Sequence, residues 1–503
     1  MINMFVLGIP SLVTPMNMLL IFIGVVIGII FGSIPGLSAT MAIALFLPVT
    51  YGLDPMGALS LLVSLYIGGV SGGLISAILL HIPGTPSSVA TCFDGYPMTQ
   101  HGQAMKALGV GIFFSFLGTL VSVLALAMIA PTLANLAIQM GDAEYFAICL
   151  FALTMIASLA SESIVAGLLA GVFGMICATI GMAPIDAAER FTFGSVNLSA
   201  GVDILPVLIG VFALTEILVT AETNRTSGKA QIMEISTKGV RGFGFSVQEF
   251  IGQIPNAVRS ALIGLGIGIL PGLGGSTANL VAYTVAQNQS KYPEKFGTGI
   301  IDGVVATETS NNASIGGAMV PLLALGIPGD MATAMLLGGL MIQGLQPGPL
   351  LFKNQPSLVY GVFFAMFLAN FVMLFVEYYG IRIFVKALKI PKYILLPVVF
   401  MLCIVGAYGL NNRIYDTFIV IAFGLFGYAF RKFKIPIAPF IMGFILGELL
   451  ENYFRRALMS SQGSFSGFFT RPVSCIFIIL AVLSVVLTVL KNLRKAAAPH
   501  ADS

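Results

Sequence analysis

Proline followed by glycine, set inside strongly apolar sequence, occurs twice near the start of this chain and twice again in its second half. The first half carries Gly28-x3-Gly32-Ser33-Ile34-Pro35-Gly36-Leu37 and later His81-Ile82-Pro83-Gly84-Thr85. The second carries Gly264-x3-Gly268-Ile269-Leu270-Pro271-Gly272-Leu273 and later Gly326-Ile327-Pro328-Gly329-Asp330. Proline removes a backbone donor and glycine admits unusual dihedrals, so each pair interrupts a helix. At membrane depth such a break is tolerated only where protein or a watery cavity surrounds it. Matched breaks in two halves of a membrane protein point to a binding site of the kind used by transporters.

The repeat is measurable. Pro35 and Pro271 stand 236 positions apart, and Pro83 and Pro328 stand 245 apart, so the second copy carries nine extra residues. The larger offset also aligns Val70-Ser71-Gly72 with Ile315-Gly316-Gly317. Each copy then continues into four apolar runs, Leu108 to Thr220 in one and Leu358 to Leu450 in the other. This is an internal duplication.

Composition sets the solvent. Hydrophobic residues make up 57% of the 503 positions and charged residues 9%, against about 25% charged in soluble domains. The chain reads as an all-α polytopic membrane protein with room for about a dozen crossings of some 20 residues. The remaining apolar runs are Met16–Phe31, Leu59–Leu80, Ala261–Leu270 and Val473–Leu490. The expected organisation is a membrane repeat over 1–221, a polar linker over 222–245, a second repeat over 246–450, and a last helix and tail over 451–503. The start of the chain lacks a basic region, so no cleaved signal peptide is expected. Cys92, Cys149, Cys177, Cys403 and Cys475 have no metal or pairing spacing and read as structural thiols. A net charge of +3 gives no hint of nucleic acid.

Lys and Arg favour cytoplasmic loops. The linker, with Arg225, Lys229, Lys238 and Arg241, is therefore assigned inside, and counting back four crossings puts His101–Lys106 inside too. Arg382–Lys392 and Arg431–Lys434 are likewise inside, which puts Gln343–Pro356 outside. Corresponding loops then lie on opposite faces, giving two inverted-topology repeats with broken or re-entrant helices. Arg455, Arg456 and Arg471 resist this scheme, while Lys491, Arg494 and Lys495 fit it.

The runs Gly32–Ser38, Gly84–Met98 with Gly102-Gln103, Leu270–Ser276 and Glu308–Asn312 followed by Gly326–Gly329 together resemble the TctA family, along essentially the whole chain. TctA proteins are the large membrane subunits of the tripartite tricarboxylate transporters. The resemblance implies a multi-pass protein of the bacterial inner membrane. Its implied partners are a small TctB-like membrane subunit and a periplasmic TctC-like solute-binding protein, besides membrane lipid. It also implies import of a carboxylate such as citrate, coupled to a cation gradient, commonly sodium, with a proton as the alternative ion, and no cofactor.

An anionic substrate needs positive charge or aimed donors, and no Lys or Arg lies near a break. The N-terminal end of a broken helix supplies donors and a favourable dipole. Candidate substrate contacts are Ser38 and Thr40 after the break at Pro35, Thr85, Ser87 and Ser88 after Pro83-Gly84, and Ser276, Thr277 and Asn279 after Pro271; the break at Pro328-Gly329 completes the set. The plainer reading is that these residues cap their own helices. Gly32, Gly36, Gly268 and Gly272 either offer carbonyls to a cation or serve close helix packing.

Thr307–Asn312 is the densest polar cluster in the apolar part. Glu308 is the candidate ion or proton site, with Asn311 and Asn312 as substrate contacts; the alternative is a surface loop before Ile315. Asp94 is a candidate cap or a partner of Lys106, and Asp330 a candidate cap of the half-helix after Pro328-Gly329. Glu162 reads as interfacial. Two other classes stay open: a passive channel or scaffold, and an intramembrane serine protease. The last rests on Gly69-Val70-Ser71-Gly72 with His81, but ten residues of helix rise about 15 Å, too far for a nucleophile and its base.

Overall fold

The computed structural model describes residues 2–159, 164–223, 242–388 and 392–497. Most of the basic linker, together with Glu162, lies outside the described residues. Every apolar run read from the sequence falls in a helix, to within two residues at its ends. Among the described residues, eight helices are long and apolar enough to cross a membrane.

The elements that matter are α1 (Pro15–Ser33), α2 (Ala39–Phe46), α3 (Pro55–Leu80), α4 (Thr91–Gln100), α5 (Ala104–Ala137), α6 (Asp142–Leu159), α7 (Ile164–Ala178) and α8 (Ile204–Glu222). They continue with α9 (Val247–Ile269), α10 (Gly274–Gln289), α11 (Ile301–Leu325), α12 (Met331–Ile342), α13 (Pro356–Ala387), α14 (Lys392–Asn411), α15 (Ile414–Lys432), α16 (Ile437–Ser460) and α17 (Pro472–Ala497). A two-stranded ribbon pairs Gly181–Met182 with Glu189–Arg190.

Local chemistry sets the helix ends. Thr14 caps α1 and Asp54 caps α3, each followed by proline at the first helical position, where its missing N–H costs nothing. Ser246 and Glu249 form a capping box on α9, and Asp330 with Thr333 another on α12. The first breaks turn at Gly36 (φ +92°) and Gly272 (φ +80°), a left-handed conformation that glycine adopts without strain. The second breaks begin where α3 ends in left-handed His81 (φ 57°) and α11 in Gly326 (φ 76°). The order helix, break, return segment, long helix, break thus occurs twice along the chain.

The packing repeats too. A methyl group placed on Gly24, Gly28 or Gly32 of α1 would meet the backbone carbonyl oxygens of Leu61, Leu65 and Gly69 of α3. Both helices advance four residues per contact, so α1 and α3 run parallel with their backbones nearly touching. In the second copy, Gly264 and Gly268 of α9 face the carbonyls of Ser310 and Ser314 of α11 in the same way. Consecutive helices run parallel only if the chain between them travels back, which α2 with the turn Pro48–Gly52, and α10, accomplish. Small residues allow this approach, and close packing is the main attraction available between helices in lipid.

Each copy's following helix packs on the core helix of the other copy. Residues Ser115, Thr119 and Ser122 of α5 step along Glu308, Asn312 and Gly316 of α11. In α13, Gly361 lies against Met56 and Glu377 against Ser71, both on α3.

The chain divides into two compact units, Met1–Asn135 with Phe212–Asn412, and Leu136–Val211 with Arg413–Ser503. Each sequence repeat contributes to both. The second unit contains α6, α7 and α15–α17. Phe173, Phe426 and Phe440 cluster there, and a methyl on Gly443 would lie 2.0 Å from the Gly171 carbonyl oxygen. Along α17, Ile479 is 53% and Leu487 62% exposed, as expected of a lipid-facing helix.

The arginines that resisted the charge scheme are mostly paired within this unit. Arg455 bonds Asp186 at 2.6 Å and Glu451 at 3.1 Å, and Arg471 bonds Glu144 at 2.9 Å. The Arg455 hydrogen bond holds the Asp186 carboxyl below the usual carboxylate range. Cys92, Cys149, Cys177 and Cys403 are buried free thiols, and Cys475 is half-buried.

Candidate functional site

All four breaks come together in the first unit. In the first copy, a methyl on Gly84 would lie 2.1 Å from the carbonyl oxygen of Gly32, so the second break sits on the first. In the second copy, the Gly272 N–H donates to the Gly329 carbonyl at 2.7 Å, and Gly274 abuts the Asp330 side chain. The copies meet where Gly275, in the first turn of α10, faces Ser87. The N-terminus of α10 therefore lies between the second break of each copy.

Three of the seven hydroxyls singled out in the sequence serve their own backbone. Ser38 accepts from Met41 N–H and caps α2. Thr85 and Ser88 form a reciprocal capping box. Asn279 accepts the Ala90 N–H at 2.8 Å and donates to the Thr307 carbonyl at 3.3 Å, which ties α10 to α4 and α11. Thr40, Ser276 and Thr277 are half-buried in the first turns of α2 and α10. Gly32 and Gly268 are the close-packing glycines described above, and the Gly36 carbonyl accepts from Thr220 at 3.4 Å.

Asn311 is different. It is 0% exposed, yet neither its amide nitrogen nor its amide oxygen has a hydrogen-bond partner among the described residues. A methyl on Gly275 would lie 2.5 Å from the Asn311 Oδ1, 3.0 Å from Ser314 Oγ and 3.1 Å from Ser87 Cβ. The amide is thus aimed at the N-terminus of α10, whose first N–H groups have no partner within the helix. Ser87 adds a hydroxyl 3.0 Å from Thr85 Oγ1. Amide, helix-end N–H groups and hydroxyls make a donor-rich, uncharged site suited to carboxylate oxygens.

Glu308 forms a second polar centre. The cluster Thr307–Asn312 is not a surface loop; it occupies buried turns in the middle of α11. Glu308 accepts from Thr91 Oγ1 at 2.5 Å and Ser115 Oγ at 3.0 Å. Asn312 Nδ2 bonds Ser115 Oγ at 2.9 Å and lies 3.5 Å from the Glu308 carboxyl. The carboxylate and the two hydroxyl oxygens beside it are hard donors of the kind a monovalent cation takes, while Asn312 turns its amide nitrogen toward them and its Oδ1 toward Thr119.

Asp94 does not pair with Lys106, which bonds Glu249 at 2.5 Å instead. Its Oδ1 accepts the N–H groups of Gly297, Gly299 and Ile300, and its Oδ2 accepts from Tyr283. Asp94 is a pin between the copies. Asp330 caps α12, as expected, and also accepts from Tyr66. Ser71 and His81 form no dyad: Ser71 donates to Glu377 at 2.6 Å, and His81 stacks on Tyr96. Glu377, 0% exposed on α13, escaped the sequence reading. An acid at the edge of the apolar run ending at Val376 was the available signal.

This fold and site define a multi-pass helical membrane protein whose polar chemistry is gathered at the ends of broken helices and on the buried faces beside them. The chain belongs to the TctA family of tripartite tricarboxylate transporters, whose family model matches residues 18–442, and it is a membrane transport component. It is 34% identical over 488 residues to an Agrobacterium vitis protein described as an uncharacterized 52.8 kDa protein in the TAR-I ttuC' 3' region, covering 97% of this chain and 96% of that protein. It is also 36% identical over 228 residues to a protein in the TAR-II ttuC' 3' region of the same organism, covering 45% of this chain and 94% of that protein. No solved structure matches the chain.

Proposed function

We propose that the chain is the large membrane subunit of a binding-protein-dependent secondary transporter that imports a small carboxylate across the bacterial inner membrane. Citrate represents the tri- and dicarboxylates that suit the site. A TctB-like small subunit and a TctC-like periplasmic binding protein complete the system. The single observation that carries this reading is the buried, unpartnered Asn311 amide aimed at the N-terminus of α10. Leaving such a group unpaired costs about 1–3 kcal/mol, and a bound carboxylate offsets that cost. Glu308, with Thr91 and Ser115, holds the coupling cation, sodium in preference to a proton.

The two copies have inverted topology in this reading, and three contacts support it. Thr99, just beyond α3, bonds back to the Ile78 carbonyl near the end of that helix. Asp94 in the same segment holds Gly297–Ile300 at the start of α11. At the start of α3, Met56 meets Gly361 of α13, the helix that follows the end of α11. Core helices α3 and α11 then run in opposite directions, and alternating access moves one part of the fold against the other.

Equilibrium binding of labelled citrate and other di- and tricarboxylates to the purified protein, in sodium and in choline buffers, tests the proposal. Sodium-dependent binding that weakens in Asn311→Ala supports it. Binding of none of these acids, or binding indifferent to Asn311→Ala, refutes the site.

A further inference from the structure

Glu377 lies on α13, ten residues before that helix ends, and meets Ser71 on α3, nine residues before Leu80. At about 1.5 Å of rise per residue this is well inside the apolar layer. Ser71 Oγ donates to Glu377 Oε2 at 2.6 Å, while Glu377 Oε1 has no partner among the described residues. Both residues are 0% exposed.

Among the described residues, no cation faces this carboxyl. Within the described residues, α1 and the helical turns Ile2–Val6 and Gly8–Leu12 carry no ionisable side chain. The titratable group of α3 is Tyr66, engaged with Asp330. On α5 it is Lys106, paired with Glu249. The turn Pro349–Asn354 carries Lys353, next to the N-terminal end of α13 and far from Glu377. The ionisable group in electrostatic reach is Glu308 of α11, an acid. On α13 itself, Tyr378 donates to the Gly242 carbonyl, and Arg382 and Lys386 follow toward the helix end.

A bare carboxylate here would bear a desolvation cost of several kcal/mol that a single hydroxyl does not offset. Something must neutralise it. Glu308 sits beside two hydroxyls whose oxygens can share a cation with it, whereas Glu377 has one hydroxyl and an open oxygen. One hydrogen-bond donor and one bare oxygen suit a proton. We propose that Glu377 is a proton-binding site separate from Glu308, the proton residing on Oε1 while Oε2 accepts from Ser71.

The test reads protonation directly and does not depend on the transport reading. Infrared spectra of the purified full chain in lipid nanodiscs at neutral pH report protonated carboxyls through their C=O stretch, which shifts in D2O. The wild type is expected to show such a band, Glu377→Gln to lose it, and Glu308→Gln to keep it. Ser71→Ala is expected to retain the band but move it to higher frequency, a readout that stands even if Glu377→Gln fails to fold. An unchanged band in Glu377→Gln or in Ser71→Ala overturns the proposal. So does loss of the wild-type band on replacing choline with sodium, which would make Glu377 a cation ligand.

Discussion

The Asn279 amide oxygen accepts the Ala90 backbone N–H at 2.8 Å, while its nitrogen reaches the Thr307 carbonyl. One side chain on α10 thereby fastens the second break of the first copy to the core helix of the second. The Ala90 N–H is a buried backbone donor, so Asn279→Ala leaves it unsatisfied at a cost of about 1–3 kcal/mol, while the Thr307 carbonyl keeps the Ser310 hydroxyl. The expected outcome is a lowered unfolding temperature in detergent and impaired transport together. Asn279→Asp keeps the acceptor and is expected to be milder if it is protonated.

Asn311 should behave in the opposite way. Its amide is already unpaired, so Asn311→Ala removes a buried polar group without orphaning a partner. Thermal stability should hold or rise while carboxylate affinity falls about tenfold, or about 1.4 kcal/mol. A parallel loss of stability and binding would place Asn311 among the structural residues with Asn279. Thermal shift and equilibrium binding on the same preparation separate the two outcomes.

The breaks were legible because proline and glycine act through their own backbone, and the duplication because the same punctuation recurs at a near-constant offset. The helical state of Thr307–Asn312 was harder to read: six polar residues interrupt the hydropathy of α11 without interrupting its hydrogen bonds. Capping by Ser38, Thr85 and Ser88 was foreseen as an alternative and is what those residues do. Long-range partners were not legible. Ser71 was singled out for its glycine neighbours, but Glu377 lies 306 positions away, and no local pattern encodes that contact. The isolation of Asn311 was hidden for the same reason, since an unpaired amide shows itself only once its surroundings are known.

The close approach of α1 and α3 makes a further prediction. A methyl on Gly32 would stand 2.1 Å from the Gly69 carbonyl oxygen, a backbone atom that cannot rotate away. Gly32→Ala should cost about 1–3 kcal/mol or more and reduce the yield of folded protein. Gly409→Ala, where an added methyl meets nothing, serves as the control. Equal yields of the two variants would count against backbone contact at this break.

Pro271→Ala removes no polar side chain, yet it lets the backbone between α9 and α10 form hydrogen bonds that proline forbids. Transport should fall while the protein stays folded, because the N-terminus of α10 is no longer held open. Normal uptake by a stable Pro271→Ala protein would show that the break is not needed for recognition.

The central claim is ion-coupled movement of a carboxylate through this chain. The direct measurement is uptake of labelled citrate, with other di- and tricarboxylates in parallel, into proteoliposomes containing the small subunit and the cognate binding protein. Accumulation against the substrate gradient under an imposed sodium gradient, abolished in Glu308→Ala, is the predicted result. Equilibration without accumulation, whichever of sodium or protons is imposed as the gradient, would contradict it and mark the protein as a passive pathway.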